Sequence, residues 1–316
     1  MFSSAVQPTL VSLFSSTGSA PLQLFATHTD TTLPEDSFVH LLNDTTNLPA
    51  PSPPCKLVQI YTGKGEGKGA EARVDDEEMR TKDSMTRLKD SKTLVQTVLH
   101  IQSPTLPTTY VQCPPDYVVG GHTSNARGLG LRHPWLHVQV RDLGREWAME
   151  LGVADQARRV GVVRLSTFQP HPRLDAVGSL PLLHLPLRFP QRTDEYSAST
   201  WSTIDLHLPR LLAGFSATAS TIDDETVDVD SARPASHIDS ASSPIIDPRT
   251  LALPAGPFSH VVYVRVYATC RLRRVWLSQS GPAQKVPWEF ELYGCDPGRE
   301  GARWGWVCMS EEFGVC

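Results

Sequence analysis

Apolar residues recur at every second position in several short runs of this chain. That spacing predicts strands, because side chains alternate faces along extended backbone. The clearest run lies near the C-terminus. Val262, Val264, Val266, Ala268, Cys270 and Leu272 are apolar, and Tyr263, Arg265, Tyr267, Thr269, Arg271 and Arg273 fall between them. Such a strand buries one face and turns a basic, aromatic face outward. The phase slips at Arg274, after which Val275 and Leu277 carry the apolar positions, so a bulge is predicted there.

A second unit joins Leu136, Val138 and Val140 to Trp147, Met149 and Leu151 across a short turn containing Gly144. It predicts a β-hairpin with one buried face. Shorter strands are predicted at 94–101, 108–113, 158–166, 180–189 and 201–208, where Ile204, Leu206 and Leu208 alternate with Thr203, Asp205 and His207. Pro209–Phe215 suits one or two helical turns with proline near the start. Many short strands and few helices predict an all-β chain, a single antiparallel β-sandwich over residues 1–293. Three segments interrupt the pattern. Residues 26–92 and 216–257 are rich in Thr, Ser, Pro, Gly or charge and read as disordered insertions, and 119–130 is a Gly/Asn/Ser loop. Residues 294–316 form a C-terminal tail.

Composition narrows the class without changing this picture. The 316 residues are 40% hydrophobic and 20% charged, with 26 prolines and 21 glycines, outside collagen-like, disulfide-scaffold and wholly disordered ranges. No stretch has the ~18–20 continuous apolar residues of a membrane helix. The N-terminus lacks the basic and long apolar regions of a secretory signal. Cys55, Cys113, Cys270, Cys295, Cys308 and Cys316 form no C-x-x-C pair, so reduced thiols in the cytoplasm or nucleus are expected.

The familiar reaction chemistries find little support. The glycine run 63–69 lacks the GK[S/T] ending of a phosphate loop, and the acidic run 75–78 lacks the spaced ligands of a calcium loop. His133, His137, His171, His184 and His207 show no repeated ligand spacing, and no G-x-S-x-G or H-E-x-x-H motif occurs. No catalytic group, cofactor or metal is expected. Trp147, Trp201, Trp276 and Trp288 read as core residues; an exposed coplanar pair among them would favour a carbohydrate- or other ligand-binding module.

Several blocks resemble one family. The opening from Met1 to Leu24, the run Thr108-Thr-Tyr-Val-Gln-Cys-Pro114, and Trp201 followed by Ile204, Leu206 and Leu208 carry the likeness. So does Val264-Arg-Val-x-Ala-x-Cys-Arg-Leu-Arg-Arg-Val-Trp276, followed by Pro287, Glu289, Phe290, Leu292 and Tyr293. Together they resemble the cilia- and flagella-associated proteins of the doublet-microtubule inner junction, over residues 1–25, 93–118, 131–215 and 258–293. The resemblance implies a jelly-roll-like β-sandwich and a structural protein without an active site. It implies tubulin in microtubules as partner, a parkin-co-regulated type of junction protein beside it, and a place in the axoneme, centriole or basal body. In an organism without cilia, a nuclear or cytoplasmic scaffold is the alternative. No membrane or nucleic-acid partner is expected.

Arg265, Arg271, Arg273 and Arg274, with Tyr263 and Tyr267, are the expected tubulin-facing stripe, since arginine forks match carboxylates. The chain's net charge of −5 does not argue against an acidic partner. Residues 216–250 account for all of it, with seven acids against Arg233 and Arg249, while the strand-rich blocks 131–189 and 258–293 carry more basic than acidic residues.

Overall fold

The computed structural model describes residues 6–49, 97–119, 128–176, 178–190, 201–225 and 252–290. Among the described residues, thirteen strands form two sheets. The six-stranded sheet has the order β11 (Trp201–His207), β6 (Trp135–Asp142), β13 (Cys270–Ser278), β4 (Thr97–Gln102) and β3 (Phe38–Asn43), with β1 (Leu10–Ser15) also paired to β13. The seven-stranded sheet has the order β2 (Ala26–His28), β5 (Tyr110–Cys113), β12 (Phe258–Tyr267), β7 (Ala148–Asp155), β8 (Val160–Ser166), β10 (Leu182–Pro186) and β9 (Arg173–Asp175). One hydrophobic cluster joins them. Leu99, Ile101, Val138, Val140, Leu272 and Val275 reach it from one sheet, and Val111, Met149, Leu151, Val163, Val264 and Val266 from the other. The helix α1 (Leu208–Glu225) adds Leu211, Leu212 and Phe215 to the same core. No helix among the described residues is long and apolar enough to cross a membrane.

The alternating pattern identified the apolar core positions, but residues expected to face outward, Tyr263, Tyr267, Arg271 and Arg273, are buried as well, and two of the pairings differ from expectation. Residues 136–151 are not a hairpin, since β6 pairs with β11 and β13 while β7 pairs with β12 and β8 in the other sheet. The hairpin in this region is β7–β8, closed where Asp155 Oδ1 accepts from the Arg159 amide at 2.9 Å. Likewise 262–277 is two strands. The chain turns from one sheet to the other at Ala268–Thr269, where the Ala268 amide donates to the Thr109 carbonyl at 3.0 Å. The predicted bulge is present, as a register shift between Leu272 and Arg274.

Three further differences have local causes. The stretch 26–92 contains β2 and β3, short strands that close two sheet edges. The β8–β10 pair is parallel, so the sheets are not wholly antiparallel. The helix has 18 residues, running on from Phe215 into residues expected to start an insertion. Residues 50–92, 120–127 and 226–251 of the insertions, with the glycine run 63–69 and the acidic run 75–78, and the tail 294–316, with Cys55, Cys295, Cys308 and Cys316, lie outside the described residues.

Candidate functional site

The turn at 268–269 divides the expected stripe. Tyr263, Arg265 and Tyr267 lie on the outer face of the seven-stranded sheet, whereas Arg271, Arg273 and Arg274 belong to the six-stranded sheet. The latter three are also largely buried. Arg271 donates to Asp44 Oδ1 at 2.6 Å and to the Asp44 carbonyl at 2.8 Å, and also bonds Asn47 Oδ1. Arg141 donates to the same Asp44 oxygen at 2.9 Å, and Trp201 Nε1 to the other at 3.0 Å. Burial pushes the Asp44 carboxyl up, but these hydrogen bonds and the two guanidinium charges outweigh it and hold it below its ordinary value. Arg274 lies over the Phe290 ring at 4.6 Å, and Arg273 occupies the bulge, where its carbonyl accepts from the Ser16 amide at 2.9 Å.

On the opposite sheet, Arg265 sits among tyrosines, 4.4 Å from the Tyr110 ring centre, with Tyr263 and Tyr267 on either side. Its Nε donates to Gln112 Oε1 at 3.1 Å and its Nη1 to the Tyr267 hydroxyl at 3.1 Å. Gln112 in turn donates to the Tyr117 carbonyl at 2.8 Å, and Tyr117 stacks on Tyr263 with centroids 5.0 Å apart. Burial pushes the Tyr267 hydroxyl up to about 12, so it stays a neutral partner.

Sequence reasoning missed what surrounds Arg265. In register across the sheet stand Gln112, Arg265, Glu150, Arg164, His184 and Arg173, one from each of six adjacent strands. Directly opposed residues share a face, so these form one row across the outer surface. Glu150 is 3% exposed and takes both neighbours, Arg164 Nε at 2.8 Å and Arg265 Nη1 at 3.4 Å. His184 Nε2 meets Ser166 Oγ at 2.6 Å. Arg173 is exposed, as is Arg188 just past β10 on the same outward phase as His184. Alternation marked Arg265 and Glu150 as outward, but β9 with Arg173 was not among the predicted strands, and which strands were neighbours could not be read.

A Ser-His-Asp arrangement on the six-stranded sheet also escaped the motif search. His137 Nδ1 bonds Asp205 Oδ1, and His137 Nε2 meets Ser278 Oγ at 2.7 Å. The Gly281 amide donates to the same hydroxyl at 3.2 Å, and Ser278 is fully buried. These hydrogen bonds join β6, β11 and β13 around the enclosed hydroxyl. Trp276 stacks on His137 at 4.8 Å under the Phe290 edge, and Trp147 is core. Trp201 is half-buried on Asp44, and the Trp288 side chain lies outside the described residues. An open apolar groove of about 690 Å³ runs between α1 and residues 255–258, lined by Pro209, Leu212, Pro257 and Phe258.

In comparisons with known proteins, the model of the CFA20 domain matches residues 56–218, a little over half of the chain. A search of curated proteins gives no match. The matched range holds β4–β11 and the start of α1. The two long strands outside it, β12 and β13, are interior strands of their sheets, each hydrogen-bonded on both sides to strands within it.

Proposed function

The chain belongs to the CFA20-domain family of cilia- and flagella-associated proteins, and from that premise we propose that it is a non-enzymatic structural protein that docks on microtubules of the axoneme, centriole or basal body. The observation that carries the proposal is the outer face of the seven-stranded sheet. Arg173 and Arg188 are exposed there, with Arg164 partly exposed and Arg265 recessed on the same face, against the carboxylates of Glu150 and Asp175. That surplus of positive charge suits the acidic surface of tubulin, and exposed arginines present the forked donors that carboxylates take up. The largely buried Arg271, Arg273 and Arg274 belong to the interior of the fold in this reading, not to the docking surface.

Purified protein should pellet with microtubules in dilute buffer and be released as salt rises, because exposed charge contacts are screened within ~8 Å at physiological ionic strength. Reversing Arg173 and Arg188 together to Glu should reduce pelleting severalfold, whereas retention equal to the parent protein would remove this face from the proposal.

A further inference from the structure

We propose that the outer face of the seven-stranded sheet binds an extended acidic peptide laid across its strands, along the row Arg265–Glu150–Arg164–His184–Arg173. The proposal rests on the microtubule reading only for the source of the peptide: an acidic segment that stands away from the lattice, not a flat acidic wall.

The row has a regular spacing. Its arginines occupy every second strand, β12, β8 and β9, with Glu150 of β7 and His184 of β10 between them. Two strand spacings put the backbone positions of successive arginines about 9.5 Å apart, so the three positions span about 19 Å. An extended chain of about six residues covers that length. Arg265 and Arg164 share the single charge of Glu150, which leaves the row net positive even with Asp175 two residues along from Arg173. Arg164 uses Nε and Nη2 on Glu150, leaving its Nη1 hydrogens for a partner. Burial, with Arg164 and Arg173 adding to it, depresses the His184 imidazole to about 4, so a neutral ring separates the partly exposed Arg164 from the exposed Arg173 at pH 7.

Two observations favour a thin ligand. The Arg265 side chain is only 15% exposed and recessed among its tyrosines, so a flat surface resting on Arg173 would not reach it. Phe168 is 41% exposed and meets His184 edge-on at 5.6 Å, giving an apolar flank beside the charged row.

Fluorescence anisotropy of a fluorescein-labelled octaglutamate peptide at low salt tests this directly. The full chain should bind it. Arg173→Glu should weaken binding tenfold or more and Phe168→Ala severalfold, with circular dichroism unchanged. Lys285→Glu, an exposed charge in the segment after β13, should stay within twofold. Unchanged binding in Arg173→Glu overturns the proposal, and so does an equal loss in Lys285→Glu, which marks general charge attraction. Microtubule pelleting of the same proteins separates the two readings. Peptide binding without pelleting overturns the microtubule reading and upholds the peptide site. Pelleting that Arg173→Glu leaves intact, with no peptide binding, overturns the peptide site and upholds microtubule docking.

Discussion

Asp44 and Arg271 are 227 positions apart in the chain, and Nη1 of the arginine meets Oδ1 of the carboxylate at 2.6 Å. With Arg141 and Trp201 on the same carboxylate, this contact ties the segment after β3 to β6, β11 and β13. Asp44→Asn should therefore cost about 2–3 kcal/mol in urea denaturation at pH 7, because partly buried donors lose a charged acceptor. The folded carboxyl titrates below its unfolded value, so its contribution is fully present above pH ~4 and disappears as pH falls through the lowered value. Asp44→Asn should accordingly flatten the acid side of the stability curve. An acid limb as steep as the parent's would show that other carboxylates govern it.

The same contact shows what the sequence could reveal. Asp44 lies in a Thr-, Pro- and Asp-rich stretch that reads as linker, and nothing local marks its guanidinium partners. Burial was legible at Leu136, Val140, Met149 and Val264, where alternation alone separates inward from outward. Pairing was not. When the chain leaves one sheet and enters the facing one, as between β6 and β7 or at Ala268–Thr269, its inward side stays inward. The alternation then continues as if the strand were unbroken. Tyr263, Arg265, Tyr267, Arg271, Arg273 and Arg274 thus read as one stripe although they lie on opposite sheets. The row from Arg265 to Arg173 draws on five strands and needed the register before it could be seen.

His184 offers a local reading of the charge around it. Its imidazole is depressed to about 4, first by burial and then by Arg164 and Arg173. A lowered histidine pKa means that stability from the neutral ring is complete above the unfolded value of ~6.5. It is lost as pH drops from there toward 4. In an NMR titration Arg173→Ala should move the His184 midpoint upward while Lys285→Ala leaves it in place. A midpoint unmoved by Arg173→Ala would mean that the two side chains do not share an environment.

Cys113 and Cys270 are buried thiols, and burial pushes both up to about 12. The thiolate is the reactive form, so neither should react at pH 8 while the protein is folded. Iodoacetamide treatment followed by peptide mass spectrometry should find both unmodified, then both labelled in urea. Rapid native labelling of Cys270, whose Sγ also lies 3.7 Å from the Tyr267 carbonyl, would contradict the packing at the 268–269 corner.

Gly152 lies beneath Tyr263, and a Cβ there would stand 2.4 Å from Cδ1 of the ring. The ring cannot shift freely, since Tyr117 stacks on it. Gly152→Ala should cost about 1–3 kcal/mol as an overpacked site and should disturb the Arg265 surroundings with it. Tyr263→Leu in the same background should recover part of the loss. A double-mutant cycle showing simple additivity would remove the clash as the cause.

Ser278, His137 and Asp205 have the contacts of a hydrolytic triad but lack an approach. The Ser278 hydroxyl lies on His137 Nε2 and also takes the Gly281 amide, and the residue has no exposed surface. A nucleophile must be free to meet a carbonyl carbon in line, whereas here the oxygen is enclosed by its own turn. The native protein should therefore resist a fluorophosphonate probe, and Ser278→Ala should lower stability by about 1 kcal/mol through the lost hydrogen bonds. His137→Ala should cost more, because it also removes the ring under Trp276 and leaves the Asp205 carboxylate short of a donor. Probe labelling at Ser278, abolished by His137→Ala, would mean that the turn at Gly281 opens, and the proposed structural role would then have to give way to a catalytic one.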